Sequence, residues 1–378
     1  MPSKPVDDAI FHVPGDAYHL GRFAERHAQG LIRLGGVETR YLEDALAPIR
    51  IERPVYVCGL ARSGTTILLE LLAALPGVAT HRYRDYPFLH VPYFWNRWLD
   101  MVPRRQPAPV ERTHLDGILV TPESPEAMEE VLWMAFFPHA HDPSGTAVLD
   151  AAASHPAFET FYRDHLRKLL LVRRGRRYAS KGNYLITRME YLLKMFPDAR
   201  FVVPVREPSR HIASLRKQHA LFCRGETVNP RMIEHLRRVG HFEFGLDRRA
   251  IQTGTDAARE VAALWAAGDE LRGWARYWNA IHEFLLDRLE DSPALRAACL
   301  LVRYEDLCAE PESWIRRILR HGELPGDEAV IRAFAGRIAA PAYYRVEYRP
   351  EDLAVVREET RPAAARLGYE PASRGNGR

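Results

Sequence analysis

Cysteine is scarce in this chain of 378 residues. Its four cysteines, Cys58, Cys223, Cys299 and Cys308, form no CxxC or CxH spacing, which argues against a zinc site and for a reducing compartment. Long apolar runs are missing as well. No stretch approaches ~20 uncharged apolar residues, and the opening MPSKPVDDAIFHVPG lacks a signal-like core, so no transmembrane segment and a cytoplasmic location are expected. Nor does one sign of charge dominate. With 53 Lys and Arg against 49 Asp and Glu, a net charge of +4 and an isoelectric point near 8.8, no nucleic-acid partner is expected, while local basic pockets for small anions remain open. There is no internal repeat, and only the polar residues 371–378 read as a flexible tail.

What is present is enough for a large core, since 47% of the residues are hydrophobic. The stretch VYVCGLARSGTT, Val55 to Thr66, reads as a strand that breaks into a glycine loop and opens a helix. Gly59 and Gly64 allow the backbone to turn its N–H groups toward an anion, and Ser63, Thr65 and Thr66 add hydroxyl donors. The lysine that should follow the second glycine of a triphosphate loop is absent, because Thr65 stands there; the cation is Arg62, ahead of that glycine. No apolar strand ends directly in an acidic residue of the magnesium-holding kind, and FVVPV ends instead in Arg206. Both departures point away from a magnesium triphosphate and toward an anion clamped by arginines, with no metal required.

Further along, Met189, Leu192, Leu193 and Phe196 recur at helical spacing, ARFVVPV reads as a short buried strand, and a helix resumes at Ser209. CLLVRY, from Cys299, reads as a third strand parallel to the others, followed by a helix that stops at Gly322. The expected architecture is a single α/β domain over 1–370, with a central parallel sheet flanked by helices. A helical lead-in occupies 1–53, and a helical insertion at 225–289 lies near the acceptor side. The proline-rich, aromatic stretch from Pro87 to Pro109 is expected to be an ordered loop over a pocket. Its aromatic residues fit either an apolar substrate or ordinary core.

The RSGTT loop, together with VREPSRHIAS, SKGNYLITRMEYLLKMFPDARFVVPVREP, LLVRYEDLCAEP and RLGY, resembles the sulfotransferases that use 3′-phosphoadenosine 5′-phosphosulfate (PAPS). The resemblance covers roughly 54–96, 180–222 and 299–312. It implies a P-loop-like nucleotide-binding fold, with the loop from Gly59 to Thr66 on the 5′-phosphosulfate. Arg206 and Ser214, eight residues apart, would hold the 3′-phosphate. Arg62 would stabilise the leaving phosphate. Lys181 would either contact the sulfonate or stand as a solvated lysine, and Tyr304 would either meet the adenine end or pack as a strand-end tyrosine.

The implied reaction is sulfuryl transfer from PAPS to a hydroxyl or amine of a small or medium-sized acceptor. Such an acceptor must lose a proton. Asp85 is the first candidate base, followed by Glu130 in the Glu129–Glu130 pair, of which one member is expected to face solvent, and then by His81 and His241. The alternatives are a P-loop kinase or triphosphatase and a non-catalytic nucleotide-binding protein of the same fold. Neither the identity of the acceptor nor the oligomeric state is legible.

Overall fold

The computed structural model describes residues 8–102, 108–339 and 348–369. Its seven strands are β1 (Val55–Cys58), β2 (Val78–Ala79), β3 (Val110–Glu111), β4 (Leu119–Val120), β5 (Arg177–Gly182), β6 (Arg200–Val205) and β7 (Cys299–Arg303). All four side chains of β1 are buried and alternate between two faces. Val55 and Val57 join an apolar cluster with Leu68, Leu72 and Ile315, while Tyr56 and Cys58 join another with Tyr162, Phe201 and Trp278. A strand that is apolar on both faces needs a helical layer on each, which is the condition of a parallel sheet.

That sheet runs β2-β5-β1-β6-β7, all parallel, with β1 at its centre. Cys58 lies opposite Gly182 and Val57 opposite Val202, so the loops leaving β1, β5 and β6 converge at one edge, where open α/β sheets bind ligands. Helices Thr65–Ala73 and Pro311–His321 cover one face. Pro156–Arg173, Pro208–Val228 and Glu270–Asp291 cover the other. β3 and β4 pair separately as an antiparallel hairpin. After the last described helix, the Tyr369 hydroxyl donates to Glu305 Oε2 at 2.8 Å and ties this segment to the residues after β7.

Two expectations change here. Pro92–Met101 is a helix, started by a proline at its first turn, and no loop over a pocket. The stretch 225–289 is not one layer. It begins inside the helix Pro208–Val228, continues through Arg231–Arg238 and Ala257–Ala266, and ends in Glu270–Asp291, whose Trp274, Trp278, Ile281 and Leu285 belong to the main core. Trp278 is fully buried and donates to His211 Nδ1 at 3.1 Å, so this helix is part of the sheet's covering layer. The lead-in helices Gly15–Arg26 and Ala28–Tyr41 are integrated too. Glu38 meets Lys168 at 2.9 Å in full burial and accepts from the Phe94 N–H at 2.6 Å. Residues 371–378 lie outside the described part. No helix among the described residues is long and apolar enough to cross a membrane.

Candidate active site

Between β1 and the helix Thr65–Ala73 the backbone makes two turns that only glycine enters without strain. Gly59 has φ +138° and Gly64 has φ +105°. A Cβ on Gly64 would stand 2.7 Å from the Tyr304 ring, so Tyr304 lies directly on the loop. The loop therefore presents its N–H groups at the positive end of a helix. Ser63 does not act as a hydroxyl donor to a ligand here: its Oγ donates to Leu60 O at 2.8 Å and staples the turn.

Arg62, Arg206 and Lys181 lie close to the loop. Arg206 Nη1 donates to the Arg62 carbonyl at 3.2 Å, and Arg62 Nε reaches Ser214 Oγ at 3.4 Å. The Arg206 guanidinium lies 5.5 Å from the Tyr304 ring centre. From the end of β5, Lys181 places Nζ 3.3 Å from Thr66 Oγ1 and 3.7 Å from Glu126 Oε1. Burial pulls the Lys181 ammonium below the ordinary lysine value; Glu126 opposes this, and Arg112 and Arg62 add to it.

The hairpin of β3 and β4 contributes residues that the sequence reading passed over. Arg112 Nη1 lies 3.4 Å from Thr66 Oγ1, and its Nε donates to Asp116 Oδ1 at 3.0 Å. Asp116 also takes the Arg62 Nη1 at 2.7 Å. Burial would raise the Asp116 carboxyl, but Arg112 and Arg62 outweigh it and hold the group far below the usual carboxylate range. Glu126 is likewise kept below its ordinary value against burial by Lys181, Arg112 and the Tyr83 hydroxyl.

Arg62, Thr66, Arg112, His114, Glu126 and Lys181 line a cavity of about 840 Å³ whose remaining wall is largely apolar, with Phe11, Val13, Phe222, Met232 and Leu236. That is the size and character of a small-molecule site. His114 packs 5.1 Å from the Phe222 ring and 5.8 Å from His241, and no hydrogen bond to its ring nitrogens occurs among the described residues. Burial, then the charges of Arg112, His241, Arg62 and Lys181, hold it well below the ordinary histidine value, so it is a neutral imidazole.

Asp85 is elsewhere. It is 1% exposed, pairs with Arg173, accepts from Asn96 Nδ2 at 2.9 Å and from the Arg82 N–H at 2.8 Å, and does not line the cavity. Burial would raise it, but His81 and Arg173 hold it far below the usual range. Held by three hydrogen bonds in full burial and away from the cavity, Asp85 has the position of a structural anchor and not of the expected base. Neither member of the glutamate pair faces solvent. Glu129 accepts from the Tyr162 hydroxyl at 2.8 Å and from Tyr178. Glu130 takes both Arg188 Nη atoms at 2.8 Å; against burial, Arg188 and His141 lower its carboxyl to about 2. His81 is buried against His165, their Nε2 atoms 3.2 Å apart, and His241 stacks on Phe222.

Comparison with known proteins finds sulfotransferases. A family model described as the sulfotransferase family matches residues 54–239. Protein-tyrosine sulfotransferase 1 of Danio rerio is 22% identical over 348 residues, covering 84% of this chain and 72% of the relative. Sulfotransferase STF9 from Mycobacterium avium superposes with a TM-score of 0.51 at 14% identity over 98% of each chain. STF1 from Mycobacterium tuberculosis H37Rv gives 0.49 at 17% identity, covering 91% of this chain and 89% of the other.

Proposed function

We propose that this chain, which belongs to the sulfotransferase family, moves the sulfuryl group of PAPS to a hydroxyl or amine of a small or medium-sized acceptor, leaving adenosine 3′,5′-bisphosphate. The observation that carries this reading is the meeting of Arg112 and Lys181 at Thr66, with Arg62 joined to Arg112 through Asp116, all three cations lining the cavity beside the glycine loop. Three cations against the two carboxylates Asp116 and Glu126 leave a net positive site, which fits a phosphosulfate.

The donor set also fits the rest of the nucleotide. The loop N–H groups from Ser63 to Thr66 suit the 5′ end, Arg206 and Ser214 the 3′-phosphate, and Tyr304, lying on Gly64, the adenine end. PAPS, when bound, supplies a sulfuryl group already activated by its anhydride link to phosphate. The chain then has to position groups and stabilise charge. Arg62 offers a fixed planar fork to the charge that grows on the leaving phosphate. Lys181 and Arg112 flank Thr66, where they can neutralise the group in transit.

His114 is the residue placed to take the acceptor's proton, because it lines the same cavity, is neutral at pH 7 and has open ring nitrogens. An anion held among Arg62, Arg112 and Lys181 offsets the charges that depress His114 and so raises its basicity. A phenol lies within the hydroxyl class, and the zebrafish relative is named for a tyrosine.

The test separates this reading from a kinase. Adenosine 3′,5′-bisphosphate in EDTA should raise the melting temperature by several degrees, because a ligand at 100 times its Kd adds ~2.7 kcal/mol, and ATP with magnesium should raise it much less. The reverse ranking, measured by differential scanning fluorimetry, would revive the triphosphate reading.

A further inference from the structure

Large apolar side chains are unevenly exposed. Among the described residues, Leu20, Phe23, Leu34, Val37, Tyr41, Trp98 and Met101 are exposed, and only Val110, Leu119, Val228 and Leu246 are exposed elsewhere. The seven come from three helices, Gly15–Arg26, Ala28–Tyr41 and Pro92–Met101, and ring contacts tie the first and the second each to the third. Phe23 meets Phe88 at 6.4 Å, Phe88 meets Trp95 at 4.7 Å, Trp95 stacks on Trp98 at 4.9 Å, and Tyr41 meets Phe94 at 5.5 Å. Single exposed apolar residues are ordinary, but a continuous aromatic surface on three helices marks a place of contact.

Charge identifies the contact. Arg22, Arg26, Arg33, Arg40 and Arg97 are exposed on the same helices and make no ion pair among the described residues. Arg33 and Arg40 each precede a residue of the stripe Leu34, Val37 and Tyr41, so they form a row along its edge, at the boundary where an interfacial helix carries its basic side chains. Of the acids on these three helices, Glu25 pairs with Arg238 at 2.8 Å, Asp100 with Arg84 at 2.6 Å and Glu38 with Lys168, which leaves Asp16 against the five arginines. Aromatic rings beside unpaired arginines match the chemistry of a bilayer surface, with rings at the headgroup level and guanidinium groups on anionic lipid. The three helices are held as one body by the buried Glu38–Lys168 pair, by the Phe94 N–H on Glu38 and by Tyr86 against Gly21.

We propose that this face docks the protein on an anionic lipid surface. The docking helix Gly15–Arg26 and Tyr86 also contribute Ala17 and a ring to the cavity wall, so the cavity lies one helix from the bilayer. The docking itself does not depend on the chemistry at Thr66.

The test is vesicle co-sedimentation of the full chain with phosphatidylcholine vesicles containing phosphatidylglycerol, against phosphatidylcholine alone, with sedimentation velocity of the protein by itself. Binding should be at least about tenfold tighter to the anionic vesicles. The pair Arg33→Glu and Arg40→Glu should abolish that preference, and Phe23→Ser with Met101→Ser should weaken binding to both vesicles, with circular dichroism and melting temperature unchanged in each. Two results would overturn the proposal: no difference between the two vesicle types, or a dimer in solution that Phe23→Ser with Met101→Ser dissociates, which would make this face a contact between copies of the chain.

Discussion

Around Asp85 and around Thr66 the chain gathers the same kinds of side chain, carboxylate, guanidinium and imidazole, and puts them to opposite uses. Asp85 is saturated: Arg173, Asn96 and the Arg82 N–H take its oxygens, and His81 stands 3.6 Å away, itself buried against His165. Burial also presses Arg173 below the ordinary arginine value, yet a guanidinium remains charged at neutral pH, so the pair is ionic. Around Thr66 the cations outnumber the carboxylates, and among the described residues nothing is hydrogen-bonded to the ring nitrogens of His114. The difference lies in access. Residue types alone do not separate a knot that holds two segments together from a site that meets a ligand; the unfilled bonding capacity does.

The sharpest way to break this contrast is to exchange its outcomes. His114→Ala should lower the transfer rate by ~10²–10⁴-fold. Affinity for adenosine 3′,5′-bisphosphate, read by calorimetry, should hardly move. Near-normal turnover would show that the open imidazole is not the base.

Asp85→Ala should behave in the opposite way. It strands Arg173 in burial, so urea unfolding should show a loss of ~3–5 kcal/mol, with turnover per folded molecule retained. Loss of turnover with unchanged stability would return Asp85 to the site.

The smallest effect concerns pH. The folded Asp85 carboxyl titrates far below its unfolded value, so its stabilising contribution is complete above the unfolded pKa of about 3.9 and is lost as pH falls through and below it. The stability difference between the wild type and Asp85→Asn should therefore be flat from about pH 5 to 8 and should narrow only below about pH 4. A gap that stays constant down to about pH 2.5 instead would mean that ionisation of the carboxylate contributes nothing to stability.

Legibility followed the range of each interaction. The glycine loop, the buried strands and the helix starts were readable because each is encoded by residues next to one another: Gly59 and Gly64 supply the positive φ values, and β1 is apolar on both faces. Arg206 and Ser214 were picked out only because the family resemblance supplies their spacing across a strand end and the first turns of a helix. β5 was missed because RYASKG alternates too weakly to show a strand until β1 and β2 pair with it on either side. The hairpin residues Arg112, His114 and Asp116 were missed because two-residue strands carry no period to count.

By itself, then, the sequence determined the parallel α/β plan and the anion loop without its lysine, since these rest on backbone shape and on residues close together in the chain. Only the tertiary structure decided which acids and imidazoles are used up and which remain available. Arg173 is 88 residues from Asp85, and Lys181 is 115 from Thr66. A side chain's basicity and reach depend on what packing brings against it, and partners that distant are chosen by the fold.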